Sequence, residues 1–260
     1  MSSFNKGILY IVAGSFWWGV IGVIYFRSVS FVGNIELVLH RAIWTALMLI
    51  IITSYLSKWN KVKLILIDKK NLFYLIFTSI LIFINWSVWI YAVSTNQIVD
   101  ASFGYFIMPI LSVLFGYLFF KELLNKRRIF AIILTIISVF YLFYFYKNFP
   151  WIGLTVGLSW SLYNVFRKKI KVDVDLGLLI ESLIILPFAL LGFYFVFQTG
   201  NLDFGINTLK LSLILILAGP MTVIPLFFFI KGVNLAGLGP SGMLFFITPT
   251  FQFILGLFLY

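Results

Sequence analysis

Three ionisable side chains stand inside long apolar runs of this sequence. His40 and Arg41 lie five to six residues into the second run, and Glu181 lies at a similar depth in the seventh. On insertion scales an ionised group at the centre of a membrane-spanning helix costs about 2.5–3.5 kcal/mol, so each requires a partner or a water-filled cavity. An imidazole and a carboxylate exchange protons, whereas a guanidinium keeps its charge. These residue types at matching depths point to a pathway lined or gated by His40, Arg41 and Glu181, with His40 and Glu181 as titratable groups able to couple solute movement to protons. The competing reading is structural. In it Arg41 reaches back toward the interface to pair with Glu36 or Asp100, and Glu181 caps or pairs with the basic segment after the sixth run.

Other polar or backbone-breaking residues share those runs. Asn85, beside Trp86 near the middle of the third run, carries an amide that must hydrogen-bond to another helix or to a ligand. Tyr105, Trp17, Trp18 and Trp160 can form an aromatic lining suited to flat or amphipathic solutes, while Trp59 and Trp151 read as interface anchors. Pro109 and Pro249 interrupt the fourth and ninth runs at equivalent points, and paired breaks in corresponding halves point to a site at the bilayer midplane. Gly153 and Gly157, in GxxxG spacing, favour close helix packing over solute contact. Gly232 to Gly242 reads as a flexible link into the ninth run. Enzyme chemistry finds no support: His40 is the single histidine, cysteine is absent, and no HExxH, GxSxG or phosphate-cradling Gly-rich loop with Lys occurs. No catalytic residues, metal or cofactor are therefore expected.

The elements that hold these residues follow from composition. The chain is 62% hydrophobic and 10% charged over 260 residues, with a mean hydropathy of +1.09, beyond what a water-soluble domain of this length reaches. Its apolar runs are 7–26, 35–56, 72–93, 101–120, 129–146, 151–166, 176–197, 211–230 and 241–260. Runs of about 20 residues without alternation select helices over a barrel, because lipid offers the backbone no hydrogen bonds. The expected fold is thus an all-α polytopic membrane protein with nine visible transmembrane helices and no soluble domain. The first run exceeds a signal-peptide core and lacks a small-x-small cleavage site. The net charge of +11 is a topology signal, not a nucleic-acid footprint, because the basic residues fall in short clusters between runs. One side collects fifteen Lys and Arg residues, the largest groups being Lys58 to Lys70, Lys121 to Arg128 and Arg167 to Lys171; the other holds Arg27, Lys147 and Lys210. By the positive-inside rule the N-terminus is cytoplasmic.

Gly104 to Phe120 and Leu244 to Tyr260 each carry Phe-Ile-x-Pro, then six residues, then Gly, at an offset of 140. They fall in the fourth and ninth runs, so an odd number of crossings separates them. The halves are then inverted with respect to each other, the architecture common among secondary transporters. The first copy is followed by Lys121-Glu122 and a further run, and nothing equivalent follows Tyr260; the expectation is a truncated C-terminus lacking a tenth helix.

Several strings in order resemble the RarD-type branch of the drug/metabolite transporter superfamily, whose members carry two EamA-type repeats. They are His40-Arg41 with Trp44, Asn85-Trp86, Ala101 to Ile107 with Pro109, Lys121-Glu122, Arg167 to Lys169, Leu179-Ile180-Glu181 with Leu186-Pro187, Thr222 with Pro225-Leu226, and Ile247 to Thr250. The resemblance implies ten helices as two inverted five-helix repeats, here residues 1–146 and 151–260. It implies a central cavity among the first, third, fourth, sixth, eighth and ninth runs, and adds Pro225 to the pathway candidates. It further implies export or exchange of small metabolites or drugs across the bacterial inner membrane by alternating access. The small-molecule solute, the lipid bilayer and protons are the expected partners. The alternatives are a membrane-embedded enzyme acting on a lipid-linked substrate and a non-transporting scaffold.

Overall fold

The computed structural model describes residues 1–123, 126–145, 150–200, 202–205 and 208–259. Lys147, Tyr146 and Tyr260, which enter the charge count, the first repeat boundary and the C-terminal expectation, lie outside the described residues.

The described chain is helical throughout, and among the described residues no strand occurs. In chain order the helices are α1 (Ser3–Ser28), α2 (Asn34–Tyr55), α3 (Trp59–Ile67), α4 (Lys69–Ser94), α5 (Ile98–Phe120), α6 (Lys126–Phe145), α7 (Trp151–Lys169), α8 (Val174–Gln198), α9 (Leu209–Ala236) and α10 (Leu238–Leu259). Seven of them, α1, α2, α4, α5, α8, α9 and α10, are long and apolar enough to cross a membrane. α7 falls short because Ser159, Ser161, Asn164 and the terminal Arg167, Lys168 and Lys169 dilute its hydropathy.

Local chemistry sets the helix ends. Ser2 caps α1 by accepting from the Asn5 N–H, Asp68 caps α4 by accepting from Lys70 and Asn71, and Thr208 caps α9 by accepting from Leu211; such a cap is worth about 1 kcal/mol. The short α3 occupies the polar interruption between the second and third apolar runs. Its amide ladder starts after Ser57, whose φ of 52° turns the chain out of α2.

Breaks within helices differ from the sequence expectation in a physically simple way. α10 is interrupted at Phe246, three residues before Pro249, and α9 is interrupted at Leu217, three residues before Pro220. A proline removes one backbone donor and crowds the preceding turn. Pro109, expected to break its helix as Pro249 does, lies in the uninterrupted α5. The stretch from Gly232 to Gly242 is not a link: α9 continues to Ala236, and Gly237 alone, at φ +95°, makes the turn into α10. In α1, residues Trp17–Gly22 form a π-helical segment, an irregularity with no signal in the apolar pattern.

The bundle is tied by close backbone approaches. α5 crosses α7 where Gly104 lies on Gly153 and Gly157, and an added Cβ at any of the three would meet the facing backbone. α1 crosses α9 at Gly7 and Gly232 in the same manner. Large apolar side chains such as Phe73, Phe188, Leu191 and Phe195 face outward, the surface a lipid-embedded bundle presents.

Candidate functional site

Six helices converge on one internal chamber. α2 contributes Arg41; α4 contributes Asn85, Trp86 and Trp89; α5 contributes Tyr105; and α7 contributes Trp160. α1 places Trp18, Gly22 and Phe26 there at four-residue spacing, with Trp18 and Gly22 in the π-helical segment, and α10 places Phe245, Thr248 and Gln252. The chamber and its opening hold ≈ 420 Å³ of free space. Aromatic side chains make up most of its wall.

The rings pack edge to face around it. Trp18 meets Trp160 at 5.1 Å between centroids, Tyr105 meets Phe245 at 5.4 Å, and Phe26 meets Trp89 at 5.2 Å. Arg41 is 5% exposed. Its Nε donates to Thr222 Oγ1 of α9 at 3.0 Å, and its guanidinium carbon lies 4.7 Å from the centroid of Trp86 and 5.2 Å from that of Phe26. The titratable groups that face it are the phenols of Tyr25 and Tyr105. Among the described residues Arg41 makes no ion pair; the Glu36 partner considered from sequence is engaged elsewhere. Cation–π contact is therefore the main compensation for the buried charge.

Asn85 binds α4 to α7: its amide nitrogen donates to the Val156 carbonyl at 3.0 Å and to Ser159 Oγ at 3.1 Å. Its Oδ1 accepts from the Tyr105 hydroxyl at 3.4 Å. Three further polar atoms on chamber residues, the indole N–H groups of Trp89 and Trp160 and the Gln252 Oε1, are buried with no hydrogen-bond partner among the described residues. Buried polar atoms in folded proteins are mostly satisfied; further atoms without a described partner lie outside the chamber, on Ser15, Trp17, Thr45, Thr53, Asn164 and Arg167.

The remaining sequence candidates lie outside this chamber. His40, one residue from Arg41, points the other way. Its Nε2 stands 3.3 Å from Glu36 Oε1 and its Nδ1 accepts from Trp44 Nε1 at 3.0 Å, which places the ring proton on Nε2. Glu36 also accepts from the backbone N–H groups of Asp203 and Phe204, each at 2.9 Å. Glu181 sits at the opposite end of the bundle, accepting from Thr78 Oγ1 at 2.6 Å and Tyr163 OH at 3.1 Å, with Arg167 Nε at 3.6 Å. This knot ties α4, α7 and α8 and includes Arg167 at the basic end of α7. Pro109 backs onto Gly242, the Pro225 carbonyl backs onto Gly14, and Pro249 and Trp17 are not among the chamber's walls.

Sequence reasoning passed over Trp89, Phe245, Thr248 and Gln252. Gln252 carried a usable signal, since it is the one side-chain amide in the ninth run, as Asn85 is in the third. It also passed over the role of Glu122, in the loop after α5. That carboxylate accepts from the N–H groups of Leu238 and Gly239, each at 2.8 Å, at the start of α10, and pairs with Lys168 at the end of α7. Desolvation alone would raise its pKa, but these hydrogen bonds and the Lys168 charge outweigh it and hold the carboxyl below its ordinary value.

Comparison with known proteins accords with a chambered membrane bundle. The model of the EamA-like transporter family matches residues 5–144. An uncharacterised transporter of Vibrio cholerae is 32% identical over 256 residues, covering 98% of this chain and 84% of that protein. The protein RarD of Escherichia coli is 31% identical over 256 residues, covering 98% and 86%. The uncharacterised transporter YojE of Bacillus subtilis is 32% identical over 262 residues, covering 98% and 86%. A family match over more than half its length, with relatives at this identity along nearly all of it, places the chain in the EamA-like transporter family, as a multi-pass membrane transporter of the RarD type.

Proposed function

We propose that this protein is a secondary transporter that moves a small organic solute through the aromatic chamber by alternating access, as an exporter or exchanger in the bacterial inner membrane. The observation that carries the reading is the chamber itself, which lies between helices of both halves and is lined by a buried guanidinium of which only Nε has a described hydrogen-bond partner.

Helix pairing supports an inverted repeat of residues 1–146 and 151–260. Exchanging the halves maps the α1–α9 pair onto α4–α7, α5–α7 onto α1–α10, and α2–α9 onto α4–α8, while α2–α8 and α5–α10 map onto themselves; all of these pairs are in contact. Such an arrangement lets one fold adopt two mirror-related openings. Nine crossings with a cytoplasmic N-terminus fit the fifteen-to-three division of basic residues. His40 and Glu181, at opposite ends of the bundle, are the groups through which protons would couple. An enzyme acting on a lipid-linked substrate is the weaker reading, because the chamber's own walls carry no carboxylate or imidazole to act as general base.

Counterflow in proteoliposomes tests the proposal. Vesicles preloaded with a mixture of amino acids and organic acids should take up labelled solute faster than empty ones. Folded protein that moves nothing across a broad panel refutes it.

A further inference from the structure

The chamber's electrostatics identify the class of its solute, an inference that rests on the chamber being the substrate site. Arg41 is buried and Nε alone is matched by a protein acceptor, leaving the terminal nitrogens of the fork without a described partner. Trp89 and Trp160 Nε1 and Gln252 Oε1, on residues of the same walls, also have no described partner. The one charge on the walls is positive.

We propose that the chamber binds a small, flat organic carboxylate of net charge −1, its carboxylate seated against Arg41. A carboxylate matches the guanidinium fork with two parallel hydrogen bonds. One cation neutralises one anion: a phosphate or dicarboxylate would leave a second negative charge buried without a partner, and a cationic or zwitterionic solute would bring an ammonium to walls that hold no carboxylate. The aromatic walls, Trp18, Trp86, Trp160 and Phe245 among them, suit a planar aromatic body, which can add to their ring contacts. Thr222, from outside the chamber, is a positioning residue that holds Nε and leaves the fork's terminal nitrogens facing inward.

Four of the eight tryptophans line the chamber, so quenching of intrinsic fluorescence reads occupancy directly. The probes are phenylacetate, its neutral analogue phenylacetamide, phenethylamine and L-phenylalanine, titrated into the purified full chain, with flux of the same compounds measured in proteoliposomes. Phenylacetate should quench saturably and bind at least tenfold tighter than the other three. Arg41→Gln should weaken it roughly 10- to 100-fold, the range for losing a charge-assisted pair. Arg41→Lys, which keeps the charge but not the fork, should retain the preference at lower affinity, and it serves where the Gln variant does not fold.

Equal quenching by phenylacetamide, tighter binding of the amine or amino acid, or unchanged phenylacetate affinity in both variants overturns the anion site. Selective, Arg41-dependent quenching without flux of any compound leaves the anion site standing and removes the transport reading instead.

Discussion

Glu122 offers the sharpest quantitative test of the alternating-access reading. Its carboxylate holds the start of α10 through two backbone N–H groups and pairs with Lys168. Replacing it by Gln leaves one carbonyl oxygen, so one of the two N–H groups loses its acceptor and faces an amide donor. An unmatched, largely buried donor costs about 1–3 kcal/mol, the surviving bond weakens on losing its charge assistance, and the partly exposed Lys168 pair adds up to about 1 kcal/mol. The total is about 2–4 kcal/mol against the closed end, or roughly a 30- to 700-fold shift toward the state in which that end opens. The chain has no cysteine, so Ser112→Cys is a unique reporter: Ser112 is 1% exposed and lies on α5 between the chamber residue Tyr105 and Glu122. Its labelling by a water-soluble thiol reagent should accelerate by that factor in Glu122→Gln.

The pH dependence carries its own sign. A carboxyl held below its ordinary value keeps the clasp complete at every pH above the unperturbed carboxylate value of about 4.3, and loses it only as pH falls through the depressed value. Labelling of Ser112→Cys, taken relative to a freely exposed thiol at the same pH because only the thiolate reacts, should be flat from neutrality down to pH about 5 and rise only in stronger acid, with no such rise in Glu122→Gln. A labelling rate unchanged by Glu122→Gln refutes the idea that this carboxylate holds the end shut.

Two further outcomes follow from the helix interior. Glu181→Gln leaves Arg167, 3% exposed, without its anionic partner, so the variant should insert yet lose about 3–5 kcal/mol of stability and its transport; normal flux would remove Glu181 from the transport cycle. Pro249→Ala restores a backbone donor that can bond the Phe245 carbonyl across the break at Phe246; flux should fall at least tenfold while Pro109→Ala, in the unbroken α5, changes it little, and equal rates in both would assign the break to packing alone.

The sequence made legible what depends on solvent class and missed what depends on rotation about a helix axis. Among the described residues the runs located every helix except α3, because hydropathy reports depth in lipid and α3 is a short segment between charged residues. Arg41, Asn85, Trp86, Tyr105, Trp18 and Trp160 were nameable as polar or amphipathic residues in apolar runs, and the structure brings those six together. His40 and Arg41 are adjacent, and adjacency on a helix turns side chains about 100° apart, so one faces the chamber and the other faces Glu36. Depth alone could not separate them. The π-helical segment Trp17–Gly22 likewise divides the adjacent Trp17 and Trp18, of which only Trp18 lines the chamber. Glu122 sits in a loop, where charge is unremarkable until the chain brings two backbone donors from more than a hundred residues away.

Glu36 and Glu122 repeat one device at the two ends of the bundle. Each comes from the first half, each accepts two consecutive backbone N–H groups from the second half, and each has a nitrogen base at its side, His40 for Glu36 and Lys168 for Glu122. Backbone donors suit such a seal. Every substitution but proline in the facing segments preserves an N–H, and in the proposed cycle water would replace both bonds as the end opens, so the net cost of opening would stay near that of ordinary hydrogen bonds instead of a bare buried charge. A seal of this strength, a few kcal/mol, lies within what a bound solute can supply by differential affinity for two states. The chamber between the clasps has a cation that no carboxylate neutralises. An arriving anion would remove that electrostatic penalty only when fully enclosed, which ties solute binding to closure without any direct contact between Arg41 and either end.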